Sequence, residues 1–217
     1  PLQIKTLRQQ NGGAAAARNA GIEQATSDLI LFIDDDVVPA PELIGEHMWI
    51  HENGEENIVV IGPMLTPPDY ELKPWVAWEQ TMLYKQYSAL HAGEYQPTAR
   101  QFYTGNTSLK RKWLQISGGF DTNFLRAEDV ELAYRLSDHG LKFVFAPEAI
   151  GYHYANRSFK SWFAIPYAYG KNDVIFALEK GQSWLLPFTF RSFLGRNLFI
   201  ILFTLILLDR VWLSKFV

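Results

Sequence analysis

The feature that most constrains this chain is a short apolar run ending in charge: Leu29-Ile30-Leu31-Phe32-Ile33 leads straight into Asp34-Asp35-Asp36. An apolar run without polar alternation is the pattern of a strand covered on both faces, as in a parallel sheet flanked by helices. Three adjacent carboxylates at the end of such a strand repel one another where the chain leaves the core, so a cation is expected there. In an extended backbone Asp34 and Asp36 would point to one side and Asp35 to the other, so that the first and third could share a metal or a metal-bound diphosphate. Ligands of open α/β sheets gather at the carboxyl ends of strands, which is where the triplet falls. Hard oxygen donors suit Mg2+ or Mn2+, held by one or two carboxylates together with substrate phosphates. A solvated acidic turn is the alternative.

The rest of the chain supplies elements for the same architecture. Gly13 to Ala25 is small-residue-rich and reads as a helix. Pro39 and Pro41 open a helix through Ile50, and Ile58 to Ile61 is a second buried strand stopped by Gly62-Pro63. Leu72 to Leu90 reads as a long aromatic helix, and Phe102-Tyr103-Thr104 as a short strand before Gly105-Asn106. Glu128 to His139 reads as a helix with Leu132, Ala133 and Leu136 inward and Gly140 as its stop, and Phe143 to Phe145 and Ile150 to Tyr154 are strand-like. Alternating helices and buried strands predict an α/β fold with a mainly parallel sheet.

Composition excludes several classes of function. With 20 Lys and Arg against 23 Asp and Glu, the net charge of -3 gives no basic field for nucleic acid. The absence of cysteine removes thiolate metal sites, disulfides and cysteine nucleophiles. From Trp184 onward the chain is strongly apolar, yet the charge-free run from Asn197 to Leu208 falls short of the roughly 20 residues that cross a bilayer. Arg191, Arg196, Arg210 and Lys215 against Asp209 make this segment basic, which suits an anionic membrane surface. A greasy helix packed on the domain or on a partner subunit is the alternative. The expected division is therefore 1–183 as the α/β domain, the catalytic one if the residues below carry chemistry, and 184–217 as a membrane-associated segment.

Glu128-Asp129 falls in the first turn of its helix, where the partial positive charge favours anions; helix capping accounts for one carboxylate but does not need two. Arg18 carries a planar guanidinium suited to phosphate or carboxylate, on an alanine-rich helix able to pack close to the sheet. Trp75, Trp78 and Tyr84 could stack on a sugar, although a stripe at helical spacing is more often core. His153 lies between two tyrosines, the setting of an ordinary core histidine, and His47, His51, His91 and His139 fall on expected surface helices or helix ends.

Three segments taken together, NGGAAAARNAGI, LILFIDDDVVP and GGFDTNFLRAEDVELAYRLSDHG, resemble in order and wording the inverting family-2 glycosyltransferases of GT-A fold, over roughly residues 8 to 160. The resemblance implies transfer of a sugar from a UDP- or other nucleotide-diphosphate donor, with Mn2+ or Mg2+ on the diphosphate. Asp34 and Asp36 match its DxD positions, Asp34 toward ribose and metal and Asp36 as a direct metal ligand, with Asp35 beside the donor. Asp129 matches the family's general base, with Glu128 orienting acceptor or base. Arg18 matches a residue near the nucleotide, Gly105 and Asn106 the loop at the donor–acceptor junction, and His153 a frequent further metal ligand. The implied acceptor is a glycan, lipid-linked sugar or polysaccharide precursor. No secretion-signal pattern opens the sequence, which fits the cytoplasmic face of a membrane. A complete member begins with further nucleotide-binding strands, so this chain is expected to enter the fold after them. A non-catalytic sugar-nucleotide-binding scaffold and a metal-dependent phosphohydrolase are the competing classes; no GxxxxGK[ST] loop supports the latter.

Overall fold

The computed structural model describes residues 3–213, with side chains through residue 206. It divides into two compact units, Pro1–Ile165 and Pro166–Val217. The expected strand Leu29–Ile33 forms as β1 and is followed by the short β2 (Val37–Pro39). Helix α1 (Gly13–Gln24) precedes them, and α2 (Leu43–Asn53) leads to β3 (Ile58–Ile61), every residue of which is buried. After β4 (Met64–Leu65) come α3 (Pro74–His91), a 3-10 turn at Ala99–Gln101, β5 (Asn106–Lys110) and α4 (Arg111–Ile116). Helix α5 (Glu128–Asp138), β6 (Lys142–Phe145) and β7 (Gly151–His153) complete the site-bearing part.

The main sheet has the order β1-β5-β3-β6 and is mixed. Strands β1, β3 and β6 run one way, as the parallel-sheet expectation requires, but β5 is inserted between β1 and β3 and opposes both. A second sheet, β2-β7-β4, pairs β7 antiparallel to β2 and parallel to β4. The expected strand over Phe102–Thr104 is displaced: Thr104 and Gly105 form a turn, and pairing begins at Asn106. Residues Asn106 to Leu109 are buried although three of the four are polar. That is tolerable only because their side chains bond inside the protein. Ile58, Val60, Ala146 and Ala149 form a core beneath the sheet, with Ile50 and Val144 packed against them.

Two helices differ from expectation. Helix α3 turns Val76, Gln80, Tyr87 and Leu90 inward, and leaves Trp78 58% exposed with its ring edge-on to Trp162 at 6.0 Å. The aromatic stripe is therefore not core. Between Tyr154 and Trp184 the structure forms a helix, α6 (Phe159–Glu179), that the sequence hides behind an internal Pro166.

The last helix, α7, spans Leu185–Leu213. Its stretch Leu185–Ile206 has 22 residues and a mean hydropathy of 1.4, with none of its most apolar window buried in the protein. By length and composition it could cross a bilayer. The charge-free run alone understated it, because the helix continues through Arg191 and Arg196. Lys215 lies outside the described residues.

Candidate active site

The acidic triplet is a turn rather than a continued strand. Asp34 N–H reaches Gly105 O at 3.4 Å, extending the β1–β5 ladder, and Val37 N–H closes back on Asp34 O at 3.1 Å. The reversal feeds β2 and sends the two outer carboxylates to different partners. Asp34 Oδ1 accepts from Arg18 Nη2 at 3.2 Å, whereas Asp36 Oδ2 lies 3.4 Å from His153 Nε2. Asp35 is exposed at the tip of the turn. The antiparallel register explains the second pairing: Val37 stands opposite His153, and Tyr154 N–H donates to Asp36 O at 2.9 Å.

Arg18 is the cation that the strand end requires. Its Nη1 donates to Glu128 Oε1 at 2.6 Å while Nη2 holds Asp34, so one guanidinium ties the end of β1 to the start of α5. The guanidinium carbon sits 5.6 Å from the centre of the Phe120 ring, which itself packs edge-on against Phe32. Asn19, the next residue on α1, clamps the approach to α5: its Nδ2 donates to Phe120 O and its Oδ1 accepts Phe120 N–H, both at 2.8 Å. A Cβ on Gly119, whose φ is +72°, would come within 2.7 Å of that Oδ1.

The acidic pair follows a strained residue. Ala127 is buried and left-handed at φ 58°, a conformation that usually calls for glycine, and it sets Glu128 and Asp129 in the first helical turn. Nothing in the sequence marks it. Glu128 is nearly buried, and Asp129 is partly so, with Oδ1 accepting Val130 N–H at 2.8 Å. Burial, then the charge of Glu128, push the Asp129 carboxyl up to about 6, against the opposing pull of the Val130 N–H and Arg18. Such a carboxylate is still mostly ionised at neutral pH and holds a proton better than an ordinary aspartate, as suits a general base.

Gly105 carries the backbone close to Asp34: a Cβ there would meet Met64 Sδ at 2.5 Å and Asp34 Oδ2 at 3.0 Å. Asn106 behaves differently from the donor-facing residue expected. It is fully buried, and its amide is taken up by His47, Pro63 O and Ala149 O. His47 and His51 are likewise buried rather than on the surface, bonded to Asn106 and Ser108. The available signal was their spacing: Leu43, His47 and His51 fall on one stripe of α2.

A divalent ion suits the donors at Asp36 and His153. Cis ligands of an octahedral ion at about 2.1 Å stand about 3 Å apart, close to the 3.4 Å observed between these two atoms. Among the described residues no three His, Asp or Glu side chains converge, so the protein would supply few ligands and a diphosphate the rest. His153 Nδ1 is buried without a hydrogen-bond partner among the described residues.

The family model described as Glycosyl transferase family 2 matches residues 1–119. The chain belongs to that family. It is 28% identical to the hyaluronan synthase of Pasteurella multocida over 188 residues, covering 70% of this chain and 19% of that one. It is 30% identical over 126 residues to a glucosyl-dolichyl phosphate glucuronosyltransferase of Haloferax volcanii, covering 55% of this chain and 38% of the relative. A mannosyltransferase from Pyrobaculum calidifontis, solved in complex with GDP-Man and Mn2+, superposes with a TM-score of 0.50 at 20% identity, over 69% of this chain and 39% of that one. At that identity the likeness concerns the fold, which is GT-A. The chain thus spans less than half the length of each of these relatives. Within the family-2 match lie Arg18, the triplet and Gly105; the acidic pair and His153 lie beyond it.

Proposed function

We propose that this chain is the catalytic part of a metal-dependent inverting glycosyltransferase that moves a sugar from a nucleotide-diphosphate donor to a glycan or lipid-linked acceptor. The observation that carries the reading is the joining of the Asp34 turn to the Glu128-Asp129 pair through Arg18, with Asp129 raised to about 6. Donor-side and proton-accepting groups then share one guanidinium. The complex of the Pyrobaculum enzyme with GDP-Man and Mn2+ supports a sugar nucleotide and a divalent ion here. The names of the Pasteurella and Haloferax relatives support a glycan or lipid-linked acceptor.

In the transfer, the acceptor hydroxyl oxygen forms a bond to the anomeric carbon while the bond from that carbon to the donor diphosphate breaks, its electron pair leaving with the diphosphate. Asp129 takes the hydroxyl proton late, as attack makes the hydroxyl acidic. Attack from the face opposite the diphosphate inverts the anomeric centre. Glu128, fixed by Arg18, orients the acceptor or the base, and Arg18 and Gly105 line the donor side with Asp34 and Asp35. Asp36 and His153 would hold the ion, which supplies neutralisation of charge on the departing diphosphate. The exposed, span-length α7 supports work at a membrane, which we read as envelope or exopolysaccharide synthesis on the cytoplasmic face.

The test is release of nucleoside diphosphate from a panel of sugar nucleotides by the full-length protein, with and without Mn2+ or Mg2+, beside Asp129→Asn and Asp36→Ala. Metal-dependent release that rises with acceptor and is lost in both variants is expected. Donor binding with no release under any acceptor would instead favour a scaffold subunit, and inorganic phosphate as the product would favour a phosphohydrolase.

A further inference from the structure

Behind the donor side lies a buried polar chain that the transfer chemistry does not use. His51 Nε2 is 2.9 Å from Ser108 Oγ, Ser108 Oγ is 2.7 Å from His47 Nδ1, and His47 Nε2 is 2.9 Å from Asn106 Oδ1. Asn106 Nδ2 then donates to Pro63 O at 3.0 Å and to Ala149 O at 2.7 Å. All four side chains are at least nine-tenths buried.

The two carbonyls fix the direction of every bond. Because Asn106 Nδ2 faces carbonyl oxygens, its Oδ1 must accept, so His47 Nε2 carries a proton. Burial holds both imidazoles below their usual value, His51 to about 4, so each ring is neutral at pH 7 and keeps one proton. His47 Nδ1 therefore accepts from the Ser108 hydroxyl, and Ser108 Oγ accepts from His51 Nε2–H. His51 Nδ1 is left bare, and it has no partner among the described residues.

The far end of the chain holds the segments that carry the donor side. Pro63 O also accepts Gly151 N–H at 3.0 Å, Asn106 O accepts Gly62 N–H at 3.0 Å, and Asn106 is paired with Ile33 across the β1–β5 ladder. Gly151 begins β7, whose register sets His153 opposite Val37 and beside Asp36. The crossing is packed to the limit: a Cβ on Gly62 would come within 2.4 Å of Asn106 Nδ2 and 2.3 Å of Ala149 O. A rotation of the Asn106 amide would thus disturb the exit of β1 and the entry of β7 together.

We propose that His47 is a positioning residue for the donor side: by presenting a single proton to Asn106, it fixes the amide that sets β7 against the Asp34–Asp36 turn and so holds Asp36 and His153 at ion-binding separation. The proposal rests on the donor-side reading given above. Supporting groups of this kind typically change metal affinity by about 10–100-fold when removed.

The test uses the full-length protein, imidazole 15N spectra and Mn2+ binding followed by electron paramagnetic resonance in the presence of GDP and of UDP. Wild-type spectra should show His47 and His51 both protonated at Nε2. His47→Phe should weaken Mn2+ binding by about tenfold or more, and His47→Gln, whose side-chain N–H can reach Asn106 Oδ1, should recover most of it. Asn106→Asp, nearly isosteric but without the two donors, should lose affinity like His47→Phe, so the result does not hang on one variant folding. Leu43→Ala, on the same stripe and fully buried, controls for packing: it should lower the melting temperature yet leave Mn2+ affinity within about twofold below its melt. Unchanged affinity in His47→Phe and Asn106→Asp, or an equal loss in Leu43→Ala, overturns the positioning role. A proton on His47 Nδ1 in a wild type that binds Mn2+ overturns the proposal, since Asn106 Oδ1 would then receive no proton from His47 Nε2. A wild type that binds no Mn2+ with either nucleotide overturns the donor-side reading and the positioning role with it.

Discussion

Asp36 and Asp129 both stand close in sequence to a carboxylate that Arg18 holds, but their surroundings have opposite character. The Asp36 side chain is 49% exposed and faces a histidine across 3.4 Å; Asp129 is partly buried, beside a second carboxylate. An open carboxylate next to an imidazole nitrogen is suited to share a cation. A partly buried one crowded by like charge is suited to gain a proton. The difference comes from backbone and not from residue type: a turn at the end of β1 turns Asp36 toward β7, and a left-handed Ala127 sets Asp129 inside the first turn of α5. Arg18 keeps the two halves in one site by bonding Asp34 on one side and Glu128 on the other.

If that contrast is functional, the two aspartates should fail in different ways when altered. Asp129→Asn should lower turnover by about 10²–10⁴-fold, the range of a positioned base, with donor and Mn2+ binding little changed. The same change should stabilise the fold. A carboxyl raised to about 6 in the folded state, from near 3.9 unfolded, contributes stability that is complete below pH 4 and lost as pH rises through 6. Urea melts should therefore show no advantage of the Asn variant at pH 4 and one of up to about 3 kcal/mol at pH 7. Asp36→Ala and His153→Ala should instead weaken Mn2+ by roughly 10–100-fold or more, and excess Mn2+ should restore part of the turnover. Equal rescue of Asp129→Asn by Mn2+ would break the contrast.

Much of this was legible in the chain, and what was not has physical reasons. Strands β1 and β3 were visible because five and four consecutive apolar residues have no other use at that length. Helix α5 was visible through its Leu132, Ala133 and Leu136 stripe and its glycine stop. Strand β5 was misplaced because Asn106, Thr107 and Ser108 look like a loop; the Asn106 and Ser108 side chains are satisfied by His47, His51, Pro63 and Ala149, partners from distant sequence, while Thr107 Oγ1 donates to Tyr103 O nearby. The histidines were read as surface for the same reason. The acidic triplet singled out Asp34 and Asp36 as candidates but not their partners, since an extended-strand geometry cannot foresee a turn that separates them.

The smallest effects bear most closely on how the two halves communicate. Since Glu128 helps raise Asp129 and Arg18 opposes it, the acid limb of kcat/KM, expected near pH 6, should move in opposite directions when either is removed. Glu128→Gln takes away the like charge and should shift the limb toward acid by about one unit. Arg18→Ala takes away the cation and should shift it toward base, but by less, because Arg18 acts on Asp129 more weakly than Glu128 does. In the double variant the two shifts should not simply add, since Arg18 and Glu128 touch at 2.6 Å and each acts partly through the other. An additive pair of shifts would mean that Arg18 reaches Asp129 independently of Glu128, and the bridge from Asp34 would then be a structural tie with no part in setting the base.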